Sequence, residues 1–212
     1  MSTRPTPVTQ CQRPTGFFGR YTLWRMNKSH SKLTDWGLSH VAIQPNFVVL
    51  DVGCGGGRTV SKLAVLVTQG KVFGVDYSTD SVAFSQKTNA RAIQAGRVEI
   101  RQASVSQLPF QDSTFDLITA VETHFWWPNL PTDLRELFRV TKPRGQLAII
   151  AEVYKGATAL ASRLVEKYAT QTGIQILTPD EHRELLAAAG YFDIQIDVQP
   201  AKGWIIATSQ KA

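Results

Sequence analysis

From residue 47 the hydrophobic positions alternate between two rhythms. Short, nearly continuous apolar runs, "FVVLDVG", "KVFGVD", "RVEIRQA", "STFDLITAVE" and "GQLAIIAEVY", have the length and β-branched content of buried strands. Stretches with helical spacing separate most of them. Val60, Leu63, Ala64 and Val67 fall on one face after the first run. "YSTDSVAFSQKTNARAIQAG" reads as one helix, with Ser78 as N-cap and Gly96 as stop. Leu134, Leu137 and Phe138 share a face in "PTDLRELFRV". "TPDEHRELLAAAG" is punctuated at both ends: Thr178 caps, Pro179 takes the first helical position, Glu181 completes a capping box and Gly190 ends the helix. Two further strands, "YFDIQIDV" and "GWIIATS", close the chain through a tight "QPAKG" link. Strand–helix alternation predicts an α/β fold with a doubly wound, seven-stranded sheet. The last two strands have no helix between them, so they are expected as an antiparallel pair at one edge of a mostly parallel sheet.

Two pieces lie outside this alternation. Residues 17–45 predict an N-terminal helical cap made of "FFGRYTLWRMN" and "SKLTDWGLSHVAI". Residues 155–177 predict a helical insertion, with Leu160, Leu164 and Tyr168 on one face. Both are expected over the carboxyl end of the sheet, where open α/β folds bind ligands. The main domain is assigned to residues 46–212, and residues 1–16 to a disordered tail.

Composition adds little to the fold and more to its setting. A chain of 212 residues builds one sizeable core without disulfides. Its two cysteines, Cys11 and Cys54, make no framework, which fits a reducing, cytoplasmic setting. "AVLVTQG" and "LAIIAEV" are too short to cross a bilayer, and the polar N-terminus does not read as a signal peptide. The net charge of +6 is concentrated at the start, where Arg4, Arg13, Arg20, Arg25, Lys28 and Lys32 face only Asp35 in the first 45 residues. Such an arm raises the question of nucleic acid, although a solvated tail and helix face explain it more simply. His30 and His40 show no metal-ligand spacing, and no metal is expected.

The chemistry concentrates where the first strand meets the first helix, at "LDVGCGGGRT". Glycines there let the backbone turn with positive φ and approach a ligand closely. Exposed N–H groups are expected at the helix start. Arg58 stands where a dinucleotide fingerprint needs its third glycine, which counts against a nicotinamide cofactor. Asp51 precedes the loop. Asp76 ends the second strand at about the separation where an acid meets ribose hydroxyls.

"VLDVGCGGGRT", "VFGVDYS", "ASVSQLPFQDSTFDLITAVE" and "LFRVTKPRGQLAII", in this order, resemble the successive motifs of class I S-adenosylmethionine-dependent methyltransferases. The similarity is greatest to the small-molecule branch that contains the ubiquinone and menaquinone methyltransferases. It covers about residues 45–153 and implies a Rossmann-like fold. It also implies S-adenosylmethionine as cofactor and S-adenosylhomocysteine as product. The loop from Gly53 to Gly57 would run beneath the methionine part, with the backbone of Gly53, Cys54 and Gly55 nearby. Asp51 would address the amino acid end and Asp76 the ribose hydroxyls. Tyr77 would pack on the adenine, Ser104 and Val105 would border it, and Glu122 would lie near the methionine end. Two positions depart from the family. Ser104 stands where many members have an Asp, and "KPRG" replaces the usual Lys-Pro-Gly-Gly turn.

Beyond the fourth strand, "VETHFWWPNL" crowds an acid, a histidine and three aromatics together. His124 is the candidate general base, because imidazole titrates near neutrality. Trp126 and Trp127, with Tyr21 and His30 of the N-terminal piece, are the candidate acceptor-pocket residues; each would otherwise serve packing. A small-molecule methyl acceptor is the expected partner. "ETHFWWPN" lacks the Asn/Asp-Pro-Pro-aromatic motif of amino-methylating DNA enzymes, so a nucleic-acid substrate is disfavoured. A protein that binds S-adenosylmethionine without transferring from it is the remaining alternative. Acceptor atom and oligomeric state are not legible.

Overall fold

Seven apolar runs become seven strands of one sheet in the computed structural model, which describes Gly16, residues 31–159, Ser162, Val165, Glu166, Ala169 and residues 174–212. In chain order the elements are α1 (Ser31–Leu38), β1 (Val48–Val52), α2 (Arg58–Leu66), β2 (Lys71–Asp76), α3 (Thr79–Thr88), α4 (Ala90–Gln94) and β3 (Val98–Gln102). They continue with β4 (Phe115–Val121), a 3₁₀ turn (His124–Trp126), α5 (Leu130–Val140), β5 (Thr141–Ala151), α6 (Pro179–Ala188), β6 (Phe192–Gln199) and β7 (Trp204–Gln210). The sheet order is β3-β2-β1-β4-β5-β7-β6. The first five strands are parallel, and β7 runs antiparallel to both β5 and β6. This is the expected Rossmann-like doubly wound sheet with its antiparallel edge pair. The order reverses between β1 and β4, so the crevice of such a fold opens beside the carboxyl ends of these two strands.

Alternate residues of the central strands feed opposite faces. Leu50, Ile118 and Ile149 face α5 and α6, where they pack with Leu134, Leu137 and Leu186. Val49, Leu117 and Ile150 face the other layer and meet Leu33 of α1 and Val60 and Leu63 of α2. The capping box at the start of α6 forms as expected. Thr178 Oγ1 accepts from the Glu181 N–H at 3.1 Å, and the Glu181 carboxylate accepts from the Thr178 N–H at 2.7 Å.

Three local expectations change. The helix expected across residues 77–96 is two helices meeting at Asn89, whose φ of −106° and ψ of 15° interrupt the turn. Its side-chain amide donates to the carbonyls of Ser85 and Gly57, each at 3.0 Å, so the break ties this layer to the glycine loop. β5 starts at Thr141 and includes "KPRG", with a register irregularity against β4. Arg144 adopts a positive φ of 64° there, and its N–H donates to Lys211 O at 2.7 Å. β5 also ends at Ala151, before the "EVY" expected within it.

The described part of the predicted cap, α1, packs on a face of the sheet. Trp36 there lies against Trp204, with ring centres 5.7 Å apart. The helix expected at "FFGRYTLWRMN" and the face of Leu160, Leu164 and Tyr168 lie outside the described residues, as does the tail of residues 1–15.

Candidate active site

β1 ends in Asp51 and Val52, and the chain then turns sharply through Gly53, with φ 70°, into the glycine loop. A Cβ on Gly53 would lie 2.1 Å from Thr123 Oγ1, so two loops touch here that only a glycine allows. The loop's N–H groups are spent inside the fold. Gly53 and Cys54 both donate to Val75 O, at 2.8 and 2.9 Å, and Gly57 donates to Cys54 O at 2.8 Å. Gly55 donates to Asp76 Oδ2 at 2.9 Å. These bonds join the ends of β1 and β2; the N–H groups of the helix start, from Arg58 onward, are not among them.

Asp76 is the hub of this arrangement. Its second oxygen, Oδ1, accepts from the Ser78 N–H at 2.9 Å. The Ser81 hydroxyl also hydrogen-bonds this carboxylate, whose two oxygens offer about four lone-pair directions, so some acceptor capacity remains beyond these three contacts. Asp51 is buried, at 2% exposure, directly opposite Thr119 in the β1–β4 register. Thr119 Oγ1 donates to Asp51 Oδ1 at 2.7 Å. Burial pushes the Asp51 carboxyl up to about 7; the Thr119 bond opposes the shift and the charge of Asp76 adds to it. Burial also raises Asp76, against the N–H groups of Ser78 and Gly55.

Glu122 adds a third acid as the chain leaves β4. It holds a left-handed φ of 59°, a strained conformation for a residue with a side chain. Its carboxylate accepts from the Glu152 N–H at the end of β5. Burial raises its pKa well above the usual range, and the charge of Glu152 adds to that. Among the described residues, neither Asp51, Asp76 nor Glu122 has a lysine or arginine ion-pair partner. Burial disfavours the anionic form of each of these carboxyls, and a cation placed beside any one of them would favour its ionised form.

Thr123 follows, and its Oγ1 accepts from Trp127 Nε1 at 3.3 Å. The 3₁₀ turn then sinks His124 to 2% exposure. His124 Nε2 lies 3.3 Å from Nε2 of His182 on α6. His124 Nδ1 is buried and has no hydrogen-bond partner among the described residues. Burial, then the neighbouring His182, lowers the His124 pKa to about 3. Phe125 lies edge-on to Trp126, with centres 5.6 Å apart, and packs beside Ala151 and Tyr154. Trp127 packs partly against the main core.

The structure thus ties Gly53, Gly55 and Asp76 into one hydrogen-bonded corner, with Asp51 beside it on β1 bonded to Thr119 and with Thr123 against Gly53 leading to the turn that carries His124. Tyr77 projects beside Asp76 at 53% exposure. Cys54 contributes backbone alone, because its side chain is buried against Ser85, with Sγ 3.8 Å from Ser85 Oγ, and burial pushes its thiol well above the usual range. Val105 is buried in the main core. Ser104 Oγ accepts locally, from the Ser106 N–H at 3.2 Å. Tyr21 and His30 lie outside the described residues. Thr119, Thr123 and His182 are the additions that sequence reasoning missed. Thr119 was signalled by a hydroxyl in the otherwise apolar "LITAV", and His182 had only its place four residues past a capping threonine.

Among the described residues no cluster of three histidine, cysteine or acidic side chains is placed to hold a metal ion, and no helix is long and apolar enough to cross a membrane.

Residues 50–149 match the family model described as "Methyltransferase domain". A demethylmenaquinone methyltransferase of Bacillus cereus is 33% identical over 134 residues, covering 61% of this chain and 51% of that protein. The O-methyltransferase cnsE of Penicillium expansum is 28% identical over 158 residues, covering 72% of this chain and 56% of that one. The chain thus spans about half the length of the curated relatives it matches. Among solved structures, a SAM-dependent methyltransferase from Aquifex aeolicus superposes with a TM-score of 0.72 at 21% identity, covering 91% of this chain and 98% of that one.

Proposed function

We propose, from the premise that this chain carries a class I S-adenosylmethionine-dependent methyltransferase domain, that it catalyses in-line methyl transfer to a small-molecule acceptor. The observation that carries this reading is the placement of three acids, Asp51, Asp76 and Glu122, at or just past the ends of β1, β2 and β4 beside a glycine turn, none of them with a lysine or arginine ion-pair partner among the described residues. A donor with an ammonium group, a sulfonium and a pair of ribose hydroxyls matches that set in charge and in hydrogen-bonding sense. Asp76 would take the hydroxyls with its remaining lone pairs. Asp51 and Glu122 would face the cationic amino acid end, and Tyr77 and Ser104 would flank the base. When bound, S-adenosylmethionine supplies an electrophilic methyl group.

The chain's own work is then to position and to accept a proton. Oriented approach of two reactants is worth roughly 7–11 kcal/mol, so no sharp catalytic motif is required. His124 would take the proton that a hydroxyl, thiol or amine acceptor must lose. Burial lowers its proton affinity below the near-neutral value expected from the sequence, so it could take only a proton already made acidic by bond formation. Trp126 and Trp127 would bound the acceptor side, and their ring faces attract cations.

Calorimetry separates the cofactor question from turnover. Binding of S-adenosylmethionine with no response to NAD is the expected result. Binding of NAD alone would sink the reading. Formation of S-adenosylhomocysteine in the presence of a fractionated metabolite pool then identifies transfer, and binding without any product would instead mark a sensor.

A further inference from the structure

Two histidines 58 residues apart in sequence form one hydrogen-bonded file beneath the 3₁₀ turn, and the file has a direction. His182 Nδ1 lies 2.8 Å from the Thr178 carbonyl, at the capped start of α6. A carbonyl only accepts, so this nitrogen carries a proton. In neutral His182 the other nitrogen, Nε2, is therefore a lone pair. It sits 3.3 Å from His124 Nε2, which must then be the donor. That leaves the lone pair of neutral His124 on Nδ1, the buried atom with no partner. The opposite tautomer would leave a buried N–H unsatisfied and set two lone pairs against each other, the costlier arrangement.

We propose that His182 is a positioning residue whose bond to Nε2 holds His124 in the Nε2–H tautomer and makes Nδ1 its proton-accepting atom. Burial disfavours the charged form of both rings, which keeps the file neutral around pH 7. The α6 capping box anchors the far end, because Thr178 supplies both the helix cap and the carbonyl that orients His182. The role in catalysis rests on the methyl-transfer reading above. There, the acceptor's X–H bond would break with its electron pair kept on X and an N–H bond would form at Nδ1; because that atom is buried, the step requires the acceptor, or a water between them, to reach Nδ1 and to carry the proton away by the same route. No other acidic or basic side chain is hydrogen-bonded to His124 among the described residues.

The tautomer can be read without substrate or cofactor. The full chain has only four histidines, so long-range proton–nitrogen correlation on protein labelled with nitrogen-15 histidine gives four imidazole patterns, and His124→Gln assigns the one of interest. In the wild type we expect a lone-pair type Nδ1 shift and a protonated-type Nε2 shift for His124, and the reverse pattern for His182. His182→Phe keeps an aromatic ring but removes the acceptor, so the His124 pattern should move towards mixed tautomers. His182→Gln restores an amide carbonyl partner and should recover the wild-type pattern. A protonated Nδ1 on His124 in the wild type would overturn the proposal even if His182→Phe failed to fold. An unchanged His124 pattern in a folded His182→Phe protein would also overturn it. Neither result depends on methyl transfer, and absence of S-adenosylmethionine binding would refute the functional reading while leaving the tautomer assignment intact.

Discussion

The two sides of the crevice are built by different means. The corner beneath β1 and β2 is assembled from short-range chain logic: an acid, a glycine turn and an acid at the next strand end, tied by the Gly55–Asp76 and Ser78–Asp76 bonds. The side beyond β4 is assembled from parts brought together by the whole fold. Glu122 leans on Glu152, and His124 leans on His182 of α6. On the reading proposed above, the first side would supply charge and backbone to the donor, and the second, with its buried histidine and aromatic rings, would face the acceptor and could change with it without disturbing the donor. Gly53 and Thr123 are the point of contact between them.

The widest separation of the two sides should come from His124→Gln. General-base loss typically costs about 10²–10⁴ in rate, and the substitution should leave S-adenosylmethionine affinity unchanged. Single-turnover rates against calorimetric affinity check both parts. Equal turnover with the true acceptor would remove His124 from the mechanism. Asp76→Ala is the mirror experiment. It removes the carboxylate that holds Gly55 and Ser78 and that would take the ribose hydroxyls. Two lost charge-assisted bonds at about 1.5 kcal/mol each predict affinity weaker by roughly 100-fold. Titration calorimetry reads this directly, and an unchanged affinity would contradict the assigned role of Asp76.

Gly53→Ala tests the contact between the sides. Alanine at φ 70° carries the left-handed penalty, and its Cβ would clash with Thr123 Oγ1. A loss of about 2 kcal/mol or more is expected in denaturant unfolding. Adding Thr123→Ala should return the part due to the clash and leave the part due to φ. Strict additivity of the two substitutions would mean that the loops do not meet as described.

The same contrast explains what was legible in the sequence. The succession of seven strands, the antiparallel edge pair and the acids flanking the glycine turn, Asp51 and Asp76, follow from period, punctuation and local spacing, which a linear reading captures. The helix break at Asn89 did not follow, because the reason for it is a carbonyl 32 residues away on Gly57. Thr119 was hidden for the same reason, since its partner Asp51 stands on the neighbouring strand. His182 sits in a segment whose capping signals explained it completely as a helix start. Nothing local announced that its ring would reach His124. Residues 50–149, the stretch matched by the family model, contain the corner but not α6.

The finest test concerns Asp51, whose carboxyl is pushed up to about 7 in the folded chain from an ordinary 3.8. Between those values the folded state binds more protons than the unfolded state, so stability falls as pH rises from about 4 to 7. Each unit of the shift corresponds to at most roughly 1.4 kcal/mol, and an effect on the order of 1 kcal/mol between pH 5 and 7 is a reasonable expectation for this group. Asp51→Asn should flatten that part of the profile, leaving the contributions of Asp76 and Glu122, which have the same sign. Ligand binding supplies the complementary half. A cationic donor beside Asp51 favours the carboxylate, so binding should release a proton near pH 7 and tighten as pH rises from 6 to 8. Calorimetry in buffers of different ionisation enthalpy measures the released proton. If Asp51→Asn abolishes the release, the buried acid and the donor's positive end meet. If the release persists undiminished, that proton comes from another group, and the cation must be sought nearer Glu122.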